Sequence, residues 1–414
     1  MSRRILATVA CLLLLASMGA SAAKATEIEI WYSLGAKYSA PLEVLIEKFN
    51  KSQSEVVVKG VYAGGYASTT EKLLAACVAG NPPALAQLEQ MLAGQFVDNQ
   101  QVIPLQQFID KDKGINISDY IPEILTAKKD GKIWGLPLNP STLVMYYNKD
   151  LFRKVGLNPD NPPQTWDEVY QASKKIRALG KDYYGIRLYA GDWVVEAAIW
   201  QFGGEIVSPD YKKILFNSKE SVEAVTLWKK MVDEGLALYG AGREASDQDF
   251  AGRIGMTLRS SGSLETMKES CNYEVGVAKL PYAKKRATAI GGANIYMFAG
   301  ISKAQQEAAW KFIKYLTTAD NQGSWAAGTG YMAARKSALE SAEWKKLFAE
   351  DPRRQVTYTQ LEYSRPRPLF AAYPEINKII QDAFDAAIVG GKTPQAALAE
   401  AQKKAETALK DYDF

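Results

Sequence analysis

The stretch from Trp134 to Leu151 constrains this chain more than any other. Its apolar run Leu143-Val144-Met145-Tyr146-Tyr147 is short, continuous and rich in β-forming side chains, which predicts a strand buried on both faces. Asn148-Lys149-Asp150 ends the run and leads into a helix. Asn139-Pro140-Ser141-Thr142 places small polar groups just before it. We read the stretch as one strand that passes from one lobe into another, with those groups at the hinge. A guest held between two lobes would meet the hinge there, and nothing in the stretch suggests bond-making chemistry.

The rest of the chain alternates strands and helices. Ile28, Ile30 and Tyr32 share one face of a strand beginning at Glu27, and a helix over 41–50 buries Leu42, Leu45, Ile46 and Phe49. A second strand covers 55–61, Gly64-Gly65-Tyr66 turns the chain, and a helix covers 69–78. Gly80-Asn81-Pro82-Pro83 breaks that helix before a third strand over 84–88. This βαβαβ order implies a parallel sheet whose ligand crevice lies beyond the strand carboxyl ends. Tyr32-Ser33, Ala63 to Tyr66, and Glu89 fall at such ends. Beyond the crossing strand a second α/β series begins. Thr165-Trp166-Asp167-Glu168 and Ser302-Lys303-Ala304-Gln305 read as capping boxes, and Thr393-Pro394 opens the last helix. Trp166, Trp228 and Trp310 lie on amphipathic stripes and read as core.

The N-terminus reads as an export leader over residues 1–25: basic Arg3-Arg4, an apolar run from Ile5 to Met18, then small residues up to Ala25. Cys11 lies inside that run instead of closing it, which argues against a lipid anchor. Cleavage near Ala25 removes three basic residues and no acid, lowering the formal charge from +4 to +1. A near-neutral chain lacks the clustered basic face that nucleic acid requires. No later apolar stretch reaches the roughly 20 residues of a membrane span. The sequence contains no histidine, which removes histidine-based triads and the usual zinc sites. Cys77 and Cys271 are the mature cysteines and read as free, mostly buried thiols. About 390 mature residues suit two lobes better than one core.

Several segments, taken in order, carry a resemblance. They are Val61 to Tyr66 (VYAGGY), Gly80 to Glu89 (GNPPALAQLE), Asn139 to Gly156 (NPSTLVMYYNKDLFRKVG), Asn161 to Trp166 (NPPQTW), Ser260 to Leu264 (SSGSL), Ile290 to Ala293 (IGGA) and Gly328 to Tyr331 (GTGY). The chain resembles the carbohydrate-type extracellular solute-binding proteins of ABC importers, and within them the glycerol-phosphate binders. The resemblance implies a two-lobe α/β fold of the type II periplasmic-binding-protein kind, with ligand in the interlobe cleft. It places residues 26–140 and 293–330 in the N-terminal lobe, and 141–292 and 331–414 in the C-terminal lobe. It implies a periplasmic, monomeric, non-catalytic protein that closes on a small polar solute and delivers it to permease transmembrane subunits, without metal or cofactor.

Residue by residue, the resemblance marks Tyr66, Glu89, Ser141, Trp193, Ser261, Ser263, Gly292 and Tyr331 as ligand contacts. Tyrosine offers a hydroxyl and a flat face, and a carboxylate accepts from adjacent hydroxyls. Trp193 would pack against the glycerol part, with Tyr189 as a second aromatic. The serines precede a predicted helix over 264–269, whose free N–H groups suit an anion. One departure stands out. Where a glycerol-phosphate binder carries a late arginine for the phosphate, this chain has Ala371-Ala372-Tyr373. Arg259 either compensates or is a strand-end surface residue. That departure leaves glycerol 3-phosphate, a glycerophosphodiester and an unphosphorylated sugar all open, and the resemblance as a whole favours the two phosphorylated ligands over the sugar. A secreted carbohydrate-active enzyme using Glu89 and Asp192 is the third reading.

Overall fold

The computed structural model describes residues 24–412. The expected leader up to Ala23, with Cys11, lies outside them. The chain first lays down β1 (Thr26–Tyr32), β2 (Val56–Tyr62), β3 (Leu85–Glu89), β4 (Val102–Ile103) and β5 (Gly135–Pro137). It continues through β6 (Ser141–Asn148), β7 (Tyr184–Leu188), β8 (Ala237–Tyr239), β9 (Ile254–Ser260), β10 (Val275–Ala278) and β11 (Thr288–Gly291). β12 (Ala293–Phe298) and β13 (Ser364–Arg365) follow.

Two sheets result. The first runs β2-β1-β3-β12-β4, with β5 on β12. Its β2, β1 and β3 are parallel, as the βαβαβ reading requires, and β12 returns antiparallel to β3. The second runs β8-β7-β9-β6-β11-β13, with β10 on β6. Each sheet has its own hydrophobic core, one around Ile30, Phe49, Phe312 and Trp344 and the other around Met145, Trp166, Trp228 and Phe384. These are the two lobes of a type II periplasmic solute-binding fold.

All eight residues of β6 are buried, as expected for a strand covered on both faces. The stretch from Trp134 to Leu151 is nevertheless two strands. β5 pairs with β12 in the first sheet and β6 belongs to the second, with Leu138-Asn139-Pro140 bridging them. Proline lacks the N–H a ladder needs, and the chain changes sheet at that point. A second crossing runs back beside the first. Leu138 and Asn139 both donate backbone N–H bonds to the Ala293 carbonyl at 3.1 Å, while Ser141 pairs with Gly291. Gly292 sits between them with φ +88°, and a Cβ there would overlap the Asn139 carbonyl oxygen. Only glycine fits so close an approach.

One expectation on domain limits needs correction. Residues 331–350 do not join the second core. Met332, Ala333, Ala334, Ala338 and Trp344 pack in the first one. Gln322 fixes them there, donating to the Pro137 carbonyl and accepting from Ala334 N–H. Arg335 adds bonds to the Thr317 carbonyl and Tyr120 and an ion pair to Asp119. The chain first bonds to the second sheet at Arg353, which donates to the Val275 carbonyl, then at Gln360, which donates to the Leu143 carbonyl, and it joins the sheet as β13 beside β11. Both capping boxes form as read from the sequence. Cys77 and Cys271 are free thiols, half-buried, and no described helix is long and apolar enough to cross a membrane.

Candidate functional site

The eight residues singled out from the sequence gather around the two crossings. On the first lobe, Gln87 of β3 accepts from Ser33 N–H and donates to the Asn139 side chain at 2.7 Å. Asn139 in turn donates to the Tyr66 hydroxyl at 2.8 Å. Tyr66 starts the helix Tyr66–Val78, its ring carried out of the turn at Gly64-Gly65. Tyr331 shares this cluster. Its ring stacks on Trp325, with centroids 5.6 Å apart, and meets Tyr38 edge-on. Burial pushes the Tyr331 hydroxyl up to about 12 and carries Tyr66 well above the ordinary tyrosine range. Both stay protonated and can donate or accept at any physiological pH.

The second lobe supplies the facing groups. Ser141, at the start of β6, is buried. The Ser261 hydroxyl accepts from Thr142 N–H at 3.3 Å. Gly262 lies against the Tyr331 ring, which brings the serine turn up to the first-lobe aromatic cluster. Ser263 precedes the helix Leu264–Ser270 and makes no cap bond with its side chain, leaving the hydroxyl for another partner. Trp193, in the first turn of the helix Asp192–Gln201, lays its ring on Gly291, where a Cβ would collide with it. Trp193 as a whole is partly buried and packs against the second core.

Glu89 has surroundings the sequence did not reveal. One carboxylate oxygen accepts from Met91 and Leu92 N–H, and the other is 2.7 Å from Arg367. Arg367 is 4% exposed and also meets Asp192 at 3.0 Å and Glu196 at 2.9 Å. Tyr373 and Asn377 each donate to Glu196 as well. One guanidinium thus joins the end of β3 to the helix Asp192–Gln201 of the other lobe. Burial holds Glu89 up to about 7, although Arg367 draws it down. Glu196 is raised for the same reason. A nitrogen of Arg367 fills the space between Glu89 and Asp192, so the pair cannot flank a scissile glycosidic bond as hydrolysis requires.

Sequence reasoning did not single out Arg367, and it named Asn139 only as part of the polar hinge segment. Nothing local in Ser364-Arg365-Pro366-Arg367 separates Arg367, buried among three carboxylates, from Arg365, which pairs with Glu205 nearer the surface. At the cleft mouth, Lys37 reaches Glu269 at 2.5 Å and the Tyr38 hydroxyl lies 3.3 Å from that of Thr266. The lobes therefore touch in this structure. The arrangement offers hydroxyls, an amide and an aromatic face from two lobes around a hinge, which suits holding a polar guest.

The family model for bacterial extracellular solute-binding proteins matches residues 44–352. The chain is 28% identical to the sn-glycerol-3-phosphate-binding periplasmic protein of Pectobacterium atrosepticum, across 98% of this chain and 96% of the relative. It is 27% identical to the protein of that name from Salmonella typhimurium, across 94% and 93%. Among solved structures, UgpB from Mycobacterium tuberculosis in complex with glycerophosphocholine aligns with a TM-score of 0.84 at 24% identity, covering 94% of this chain and 99% of that one. The cyclic alpha-maltosyl-1,6-maltose binding protein from Arthrobacter globiformis aligns at 0.80 with 23% identity, covering 94% and 100%.

Proposed function

The chain belongs to the bacterial extracellular solute-binding protein family, and on that premise we propose that it captures glycerol 3-phosphate or a related glycerophosphodiester by interlobe closure. It is a solute-binding protein of the ABC-importer kind. In our reading the chain is exported to the periplasm after loss of residues 1–25 and hands its ligand to a permease. Tyr66, Tyr331 and Asn139 bind glycerol hydroxyls from one side. Ser141, Ser261, Ser263 and the Gly292 backbone bind from the other, and Trp193 covers the C–H face. Glu89 orients the hinge through Arg367 and offers its remaining acceptor capacity to ligand.

The observation that carries this reading is the likeness, along nearly the whole chain, to relatives named for binding sn-glycerol 3-phosphate. A second reading, an unphosphorylated sugar, is favoured by one feature. Arg367, the buried late arginine, is surrounded by three carboxylates and has no charge to spare for a phosphate. A thermal-shift screen of the mature protein separates the two. Glycerol 3-phosphate at 100 times its dissociation constant should add about 2.7 kcal/mol of stability. A shift with maltose or trehalose alone would select the sugar.

A further inference from the structure

We propose that Arg187 and Arg259 form an anion subsite on the second lobe that receives the ligand's phosphate, an inference that rests on the glycerol-phosphate reading above. The two arginines are the penultimate residues of β7 and of its parallel neighbour β9. Both therefore stand at the strand carboxyl ends, where α/β sheets bind ligands, and Arg259 directly precedes the Ser260-Ser261 turn. Arg259 is not the surface residue that one sequence reading allowed, since its side chain is only 16% exposed.

Charge on this cluster does not balance. Asp249 is its one buried carboxylate, and a single oxygen of it takes both an Arg187 contact and the Arg259 contact at 2.8 Å. Two guanidiniums share one carboxylate, so one positive charge is left over. The remaining neighbours are neutral. Ser246 accepts from both arginines, the Gly240 carbonyl accepts from Arg187, and the rings of Tyr189 and Phe250 lie about 5 Å from the two guanidinium centres. The next acid along the wall, Asp192, is engaged by Arg367. The Arg259 Nε–H and the second Asp249 carboxylate oxygen are both buried without a partner among the described residues, and it is the surplus guanidinium charge, not a missing acceptor, that calls for an anion. A phosphate against Arg259 would neutralise the surplus charge. It would also lie near Tyr189, whose hydroxyl donates to the Leu258 carbonyl next to Arg259, and near the serine turn that follows. Arginine is the side chain whose planar fork suits such oxygens.

The test is calorimetric titration of the mature protein with glycerol 3-phosphate, inorganic phosphate and maltose, for wild type, Arg259→Met and Arg259→Lys. The subsite requires Arg259→Met to weaken glycerol 3-phosphate and inorganic phosphate by about tenfold to a hundredfold, with Arg259→Lys between the two. The wild type should also lose glycerol 3-phosphate affinity as salt rises, and Arg259→Met should show a flatter dependence. If Arg259→Met does not fold, the lysine variant and the salt series decide. Equal affinity for glycerol 3-phosphate in wild type and both variants overturns the subsite and leaves the proposed function standing. A wild type that binds maltose and no phosphorylated ligand overturns both.

Discussion

Arg367→Met is the perturbation whose consequence the structure defines most fully. Methionine has nearly the length of the arginine stem and no charge, so the change removes three ion pairs and little volume. Two of the stranded carboxylates count in full. Glu196 is completely buried and Glu89 nearly so, whereas the Asp192 side chain is 37% exposed and water screens it. Breaking one buried pair by deleting a partner costs about 3–5 kcal/mol, because a charge is left uncompensated. Tyr373 and Asn377 still donate to Glu196, and two backbone N–H groups still donate to Glu89. The total should therefore stay at about 4 kcal/mol, a melting-temperature fall of about 5 °C. The loss must also depend on pH. Stranded carboxylates protonate, so the deficit should be largest near pH 8 and shrink toward pH 5. Adding Glu196→Gln to Arg367→Met should recover much of the stability. Urea unfolding at both pH values reads all of this. A deficit below about 1 kcal/mol, or one that is the same at pH 5 and pH 8, refutes the reasoning.

Other substitutions probe the rest of the site. Glu89, held up to about 7 from its ordinary 4.5, contributes stability that is complete below 4.5 and is lost as pH rises through 7. Glu89→Gln should flatten stability between pH 5 and pH 8, measured by thermal unfolding across that range. Gly292→Ala forces a Cβ against the Asn139 carbonyl at φ +88°. It should cost about 3 kcal/mol in chemical denaturation and weaken ligand binding, because both crossings must shift. Trp193→Ala removes a largely buried ring that packs on Gly291 and on the second core, so it should cost about 3 kcal/mol in chemical denaturation and lower ligand affinity about tenfold in titration.

Much of this was legible in the sequence. Alternating strands, amphipathic helices, two capping boxes and the buried run of β6 rest on local rules, and they appear where those rules put them. The helix Ala36–Ser52 shows a limit, since it begins five residues before Pro41, where the proline rule starts it. Proline favours the first turn without requiring it. Residues 331–350 were placed with the wrong lobe because contacts between Gln322, Pro137 and Ala334 decide their position, and no local pattern encodes those. Arg367 was missed for a similar reason. Its partners come from β3 and from a helix more than 100 residues later. Only the closed three-dimensional arrangement tells it from any proline-flanked surface arginine.

Capture without chemistry, by two lobes meeting over a phosphorylated glycerol, is most directly tested by small-angle scattering of the mature protein as glycerol 3-phosphate is added. The radius of gyration should fall saturably with ligand, return on dialysis, and the ligand should be recovered unchanged. A profile that stays constant while calorimetry reports binding, or a ligand that is consumed, would contradict it.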